Sequence, residues 1–233
     1  MALYQIADLI VEMELFGRTK EQAAPYLTET ERPADITISF EHEKILKKFP
    51  QLTDFSTAEY MGTGSIFAVE LLGFYGFQFH ASAVLLDGKA YLFSAPPGTG
   101  KSTHTEKWCR LFGGEIINDD KPALRWVDNC WMVYGTPWSG KHDLSKPVGV
   151  PLGGVAVLQR GNENTIRRMS PGEAVPAIIS QCIRFAHKGC MARQLELLDK
   201  LLKETPVWLL TCRNDDEAAI VSCGAMKNYG SKE

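Results

Sequence analysis

Residues 91–108 read YLFSAPPGTGKSTHTEKW. An apolar strand, a glycine-containing turn and the polar start of a helix follow one another without a break. From Ala95 to Ser102 the run fits the phosphate-loop pattern G-x-x-x-x-G-K-[ST] at every fixed position but the first, where Ala95 replaces glycine. Gly98 and Gly100 let successive backbone N–H groups turn into one concavity. A helix opening near Lys101 adds the positive end of its dipole. The residues expected around the phosphates are Pro97, Gly98, Thr99, Gly100, Lys101, Ser102 and Thr103. Lys101 reaches the β- and γ-phosphates, and the Ser102 hydroxyl can ligate Mg²⁺. Pro96 and Pro97 have no N–H to donate, so the cradle is expected mainly from residues 98–103. Ala95 adds only a methyl group, which a negative φ accommodates.

The flanks supply the context that such a loop needs. Upstream, FQFHASAVLLDGKAYLFSA holds two apolar runs around Asp87-Gly88, a hairpin signal because both residues tolerate positive φ. His80 falls in the first run, 21 residues before Lys101. A lone histidine in an apolar strand is more often a core residue, yet the hairpin also offers it a route to the loop mouth. Downstream, STHTEKWCRLF reads as a helix ending at Gly113-Gly114. EIIND follows as a short strand, and Asp119 and Asp120 come 18 and 19 residues after Lys101. Adjacent side chains on a strand face opposite ways, so both acids serve one site only if the strand ends there and the backbone turns. One carboxylate can then hold Mg²⁺ and the other can accept a proton from an attacking hydroxyl.

The remainder reads as mixed strands and helices. LYQIADLIVEMEL and ADITISF alternate like strands, with EQAAPYL a short helical or turn segment between them. Pro50 is expected to close the charged stretch EHEKILKKFP. TAEYMGTGSIFAVELLGFYG is expected to be helical in its second half, interrupted by Gly62 and Gly64. ALRWV and CWMVYG read as strands around an Asp128-Asn129 turn, and GVAVLQRG as another. SPGEAVPAIISQCIRF and MARQLELLDKLLKE read as helices, the first with a capping box at Ser170 and Glu173. VWLLTC is a late strand and DDEAAIVSCGAMKN a terminal helix. The expected fold is α/β, a mixed sheet with a phosphate loop following a β-hairpin. One α/β domain over residues 1–233 is expected, with a β-rich part at 1–55 and a nucleotide-binding core at 78–225.

Bulk properties narrow the function classes. The chain has 233 residues, is 45% hydrophobic and 23% charged, and carries a formal net charge of −3. That balance argues against a broad nucleic-acid-binding face. No apolar run reaches the roughly 20 residues of a membrane helix, and the start lacks a basic n-region, so no membrane partner is expected and a cytoplasmic location is the default. The six cysteines form no CxxC pair and read as scattered thiols.

The His80 strand, the Asp-Gly hairpin, the loop and the paired acids together resemble the catalytic domain of HPr kinase/phosphorylase. That family shares a P-loop group with phosphoenolpyruvate carboxykinase. The resemblance is clear over about residues 78–122, weaker out to about 225, and absent from 1–70. It implies that His80 is an active-site residue, Lys101 the phosphate-binding lysine and Ser102 the Mg²⁺ ligand. It also implies Asp119 as general base and Asp120 as support for the metal or a water. Two departures stand out. The family carries serine where this loop has Pro97, and its later glutamate-containing signature is replaced here by YGTPWSGKHDLSKP.

That glycine-, proline- and cation-rich segment belongs to a long irregular stretch, 135–154, of a kind more often functional than filler. Lys141, His142 and Lys146 are candidates for closing over phosphates or meeting an acidic substrate. Trp138 either stacks on a base or anchors the loop. Arg160, Arg167 and Arg168 read as solvated surface charge. The expected activity is an ATP-dependent kinase using Mg²⁺ and phosphorylating a hydroxyl, a serine of a protein or peptide or a small molecule. The alternatives are a non-catalytic nucleotide-binding regulator and a phosphoenolpyruvate carboxykinase-type phosphotransferase. ATP against GTP, and the oligomeric state, including a homo-oligomer, stay open.

Overall fold

The computed structural model describes residues 1–41, 43, 47, 54–96 and 98–228. Pro50 and Pro97 lie outside the described residues. The alternating N-terminal sequence folds into a hairpin of β1 (Ala2–Ile6) and β2 (Leu9–Met13). Its turn residues Ala7 and Asp8 have φ of +55° and +58°, the left-handed pair that matches strand twist. Helix α1 (Gly17–Ala23) runs into a single 3₁₀ turn containing Pro25. Strand β3 (Ile36–Ile38) then joins β2 in parallel, which completes a three-stranded sheet.

Helix α2 (Phe55–Leu71) starts at Asp54, whose carboxylate accepts hydrogen bonds from the Ser56 and Thr57 N–H groups. It corrects the expectation of a helix in the second half only. Gly62 and Gly64 do not interrupt it. They are places of close approach: a Cβ on Gly64 would sit 2.9 Å from Trp138, and one on Gly62 would run into Phe40. The helical penalty of glycine is thus offset by contacts that any side chain would prevent.

Among the described residues the larger sheet has nine strands. β4 (Gly76–Gln78) ends before His80, and β5 (Ser82–Leu86) and β6 (Lys89–Ser94) form the expected hairpin around Asp87-Gly88. His80 therefore lies between two strands rather than within one. After β6 come α3 (Lys101–Phe112), β7 (Glu115–Asn118), β8 (Ala123–Val127) and β9 (Cys130–Tyr134). β10 (Gly149–Arg160) begins earlier than expected, so the irregular stretch stops near 148. β11 (Thr165–Arg168), α4 (Pro171–Ile179), α5 (Lys188–Glu204), β12 (Val207–Cys212) and α6 (Asp216–Lys227) complete the described chain. The capping box at Ser170 and Glu173 is present.

β10 joins the two parts of this sheet. Its first residues pair antiparallel with β9, while its later ones pair in parallel with β6 and β12. Beyond β9 lie β8 and β4, and beyond β6 lie β5 and β7. The C-terminal ends of three parallel strands thus converge on one edge, where open α/β sheets bind ligands.

Packing fixes α3 on that edge. Trp108 is fully buried among Tyr91, Phe93 and Phe112, a site where truncation to alanine typically costs about 3–5 kcal/mol. Its indole N–H donates to Ser222 Oγ at 2.9 Å, and the His104 ring meets the same oxygen at 3.1 Å. Ser222 in turn donates to the Ala219 carbonyl, so His104 acts as the donor to it. Among the described residues all six cysteines are free. No helix among them is long and apolar enough to cross a membrane.

Burial, with Lys107 nearby, pushes His104 down to about 4 from its ordinary value of 6.5. The unfolded chain then binds the proton more readily than the folded one between these values. The contribution of the neutral ring is complete above about pH 6.5 and is lost as the pH falls toward 4, a difference of roughly 3 kcal/mol. Urea midpoints measured from pH 7 to pH 4 should fall more steeply for the wild type than for His104→Gln. Parallel curves would show that this ring does not carry the acid sensitivity.

Candidate functional site

The loop after β6 is shaped by its glycines. Gly98 and Gly100 have φ of +76° and +110°, and a Cβ on either would point into open space. Their requirement is therefore conformational, not one of room. Ala95 is buried and packs with the core beside α3, and it is not among the positive-φ residues. The methyl group in the first motif position is thus a core contact. Thr99 closes the turn, donating to the Pro96 carbonyl through both its N–H and its hydroxyl. α3 opens on Gly100, so no side chain caps its first N–H groups. That leaves donors of the kind an anion satisfies.

A cavity of about 740 Å³ opens over this loop, within the range of small-molecule sites. Residues 98–104 line one side. The other side comes from the ends of β10 and β12, including Arg160, Arg213 and Asn214, and His80 lines it too. Arg160 corrects the reading of solvated surface charge. Although exposed, its guanidinium donates to the Gly98 carbonyl and, at 3.5 Å, to that of Thr99. A single arginine at a strand end carries no sequence signal for this; only the parallel pairing of β6 with β10 brings it there. Arg167 and Arg168 remain exposed on β11, where Arg167 pairs with Glu173.

The acids are placed by Asn118, which sequence reasoning missed. This fully buried residue ends β7, and its Oδ1 accepts from the N–H groups of Asp120 and Lys121 at 2.9 and 2.7 Å. Its Nδ2 donates to the Thr136 carbonyl and hydroxyl. The strand ends and the chain turns, the condition under which both acids share a site. An asparagine just before the acidic pair was the available signal, since that side chain folds back on backbone two residues on. Asp119 accepts from Ser82 Oγ at 2.8 Å through Oδ1, and its carbonyl accepts from Lys101 Nζ at 2.9 Å. Asp120 meets Lys121 Nζ at 2.7 Å, Tyr60 OH at 3.2 Å and His80 Nε2 at 3.3 Å.

These groups set one another's charge. Burial pushes the Asp120 carboxyl up, but Lys121, His80 and Lys101 outweigh it and hold the group below the carboxylate range. Burial, then Lys101, lowers His80 below its ordinary value, against the pull of Asp120 and the Gln181 contact. Lys101 is lowered by burial despite Asp119 and Asp120. Burial and Asp120 raise the Tyr60 phenol, so it stays protonated and donates to Asp120 while accepting from Gly140 N–H at 2.9 Å.

The irregular segment is held rather than free. Arg18 and Gln22 on α1 both bond to the Gly140 carbonyl and to Asp143. Trp138 is buried, stacked on Phe67 with ring centroids 4.8 Å apart, and donates to Thr63. It anchors the loop. Lys146 is paired with Glu115 on the surface. His142 is exposed and lines neither the cavity over the glycine loop nor any other described one. The Lys141 side chain lies outside what the structure describes.

Among the described residues no three His, Cys, Asp or Glu side chains converge to hold a metal by themselves. Mg²⁺ does not need such a cage, because one or two carboxylates plus substrate phosphates suffice. The donor set fits that mode. Ser102 lines the cavity at the start of α3, and Asp119 uses one carboxylate oxygen on Ser82. Asp120, with both oxygens engaged, fits a water-mediated role better than direct ligation.

No family model matches the sequence, and no curated protein matches it. Among solved structures the chain is similar to the HPr(Ser) kinase/phosphatase from Coxiella burnetii, with a TM-score of 0.40 and 9% identity, over 65% of this chain and 97% of that one.

The charge balance is open to measurement by titrating the His80 ring with NMR. In Lys101→Met its pKa should rise toward the ordinary histidine value, and in Asp120→Asn it should fall further. No movement in either variant would mean that the three groups do not sense one another.

Proposed function

We propose that the chain is a kinase that moves the γ-phosphoryl group of ATP to a hydroxyl of a protein, peptide or small molecule. The observation that carries this reading is the contact between Lys101, at the head of the glycine loop, and the backbone of Asp119, with His80 and Asp120 paired beside it. These contacts support a reading in which a phosphate-binding element and the two acids work together, the arrangement that phosphoryl transfer uses.

In this reading the first N–H groups of α3 and the Lys101 ammonium hold the phosphates. Arg160 fixes the loop from outside through Gly98, and Arg213 and Asn214 line the far end of the cavity, where the nucleoside lies. Asp119 takes the proton of the attacking hydroxyl. Ser82 orients that carboxylate through Oδ1, and burial keeps it away from bulk water. Positioned general bases of this kind contribute roughly 10²–10⁴-fold. His80 faces the cavity as a neutral ring, and Asp120 holds it in place. Ser102, and Asp120 through a water, would hold Mg²⁺, which would supply charge neutralisation on the phosphate oxygens. Tyr60 and Lys121 are positioning residues that act through Asp120.

With γ-labelled ATP, Asp119→Asn should lower transfer roughly 10²–10⁴-fold while nucleotide affinity holds. Lys101→Met should weaken nucleotide binding itself. Equal transfer by Asp119→Asn and wild type would remove the base assignment. Lys101-dependent binding without transfer to any hydroxyl would instead identify a nucleotide-binding regulator.

A further inference from the structure

The first half of the glycine loop is poor in donors. Pro96 and Pro97 have no N–H. The Thr99 N–H is used inside the turn, on the Pro96 carbonyl at 3.2 Å. Among the described residues of 96–99 only Gly98 keeps an N–H to offer. A phosphate chain over this loop therefore meets backbone donors at the α3 end and few at the other.

The poor half is the half that Arg160 touches. This residue ends β10 and lines the same cavity. Its Nη2 donates to the Gly98 carbonyl and its Nε, at 3.5 Å, to that of Thr99. A guanidinium carries five N–H groups in a rigid fork. Nε and one Nη2 N–H make up the edge that meets the loop. The adjoining edge, Nη1 with the second Nη2 N–H, has no partner among the described residues. Nor does Arg160 have a carboxylate partner among them. Arg213, which lines the same cavity, is by contrast paired with Asp215 and Glu217. An uncompensated guanidinium with one whole edge unused matches a phosphate, which accepts two parallel N–H bonds.

We propose that Arg160 is a phosphate ligand, clasping the loop with one edge and the phosphate chain with the other, and that it stands in for the backbone donors that Pro96 and Pro97 cannot give. The inference rests on the kinase reading for the ligand it names. A lysine does not replace such a residue, because a point charge cannot serve carbonyl and phosphate through two fixed edges at once.

The test uses the full chain and calorimetric affinities for ATP and for tripolyphosphate, which has the phosphates without the nucleoside. Arg160→Gln can keep donating to the Gly98 carbonyl but loses the charge and the second edge. It should weaken both ligands about tenfold or more, with the ligand-free Tm little changed. Arg160→Lys should recover only part of the loss. In a Pro97→Ala background, which restores one N–H to the loop, the cost of Arg160→Gln should shrink. Unchanged affinities in Arg160→Gln would make Arg160 a clasp for the loop only and overturn the proposal alone. A loss for ATP but not for tripolyphosphate would put the residue on the nucleoside and overturn it as well. Additive costs for the Pro97 and Arg160 changes would overturn the substitution for backbone donors. Wild type that binds both ligands through Arg160 yet transfers phosphate to no hydroxyl would overturn the kinase reading and leave the arginine contact standing. Wild type that binds neither would overturn both.

Discussion

The molecule depends on one strand that has to satisfy three neighbours. β10 gives its first residues to β9 and its later ones to β6 and β12. The change of partners falls where its register with β6 shifts between Leu152 and Gly154, and a Cβ on Gly153 would come within 2.8 Å of Tyr91. Strand hydrogen bonds cannot be left unmade in a buried sheet, so the bend is imposed on everything attached. The parallel end carries the glycine loop, Arg160 and Asn214 to one edge. The antiparallel end carries β9, β8 and β4, and the end of β4 leads into His80.

Around that frame the candidate site is a problem of charge kept out of water. The charges of Lys101, His80 and Asp120 are each shifted by their neighbours, Lys121 among them. Burial disfavours the charge on Lys101, His80 and Asp120, and at Asp120 the neighbouring cations outweigh it. Asp119 differs in being held by a neutral hydroxyl from Ser82. Two adjacent carboxylates therefore have unlike surroundings, one in ion pairs with Lys121 and His80 and one hydrogen-bonded to a neutral hydroxyl, a division that suits unlike tasks.

Local chemistry explains what the sequence revealed. The Asp87-Gly88 turn, the glycine loop, the end of α3 at Gly113 and the Ser170 capping box all depend on residues within a few positions of one another, and each was legible. What was hidden came from distance. Gly62 and Gly64 read as breaks because the side chains they make room for, Phe40 and Trp138, lie on other segments. Arg160 read as solvent-facing because its partner is the Gly98 carbonyl, 62 residues away in sequence. His142 looked suited to phosphate, yet the grip of α1 on Gly140 and Asp143 leaves it on the surface. The acid pair was legible as a motif, but the Asn118 turn that orients it was not.

The hold of the N-terminal segment on the acid pair has a consequence in time. Tyr60 reaches Asp120 across 60 residues, and Gln22 and Arg18 reach Asp143 across 121 and 125. Contacts of that sequence separation form only after the entropy of closing long loops has been overcome. The hairpins and α3 can form from local contacts, whereas the surroundings of Asp120 must wait for both ends of this stretch to meet. On the ribosome that means the chain has to emerge past residue 143 before α1 can grip the segment beside the pair, so a nascent fragment can carry the complete glycine loop and the Asn118 turn and still lack those contacts.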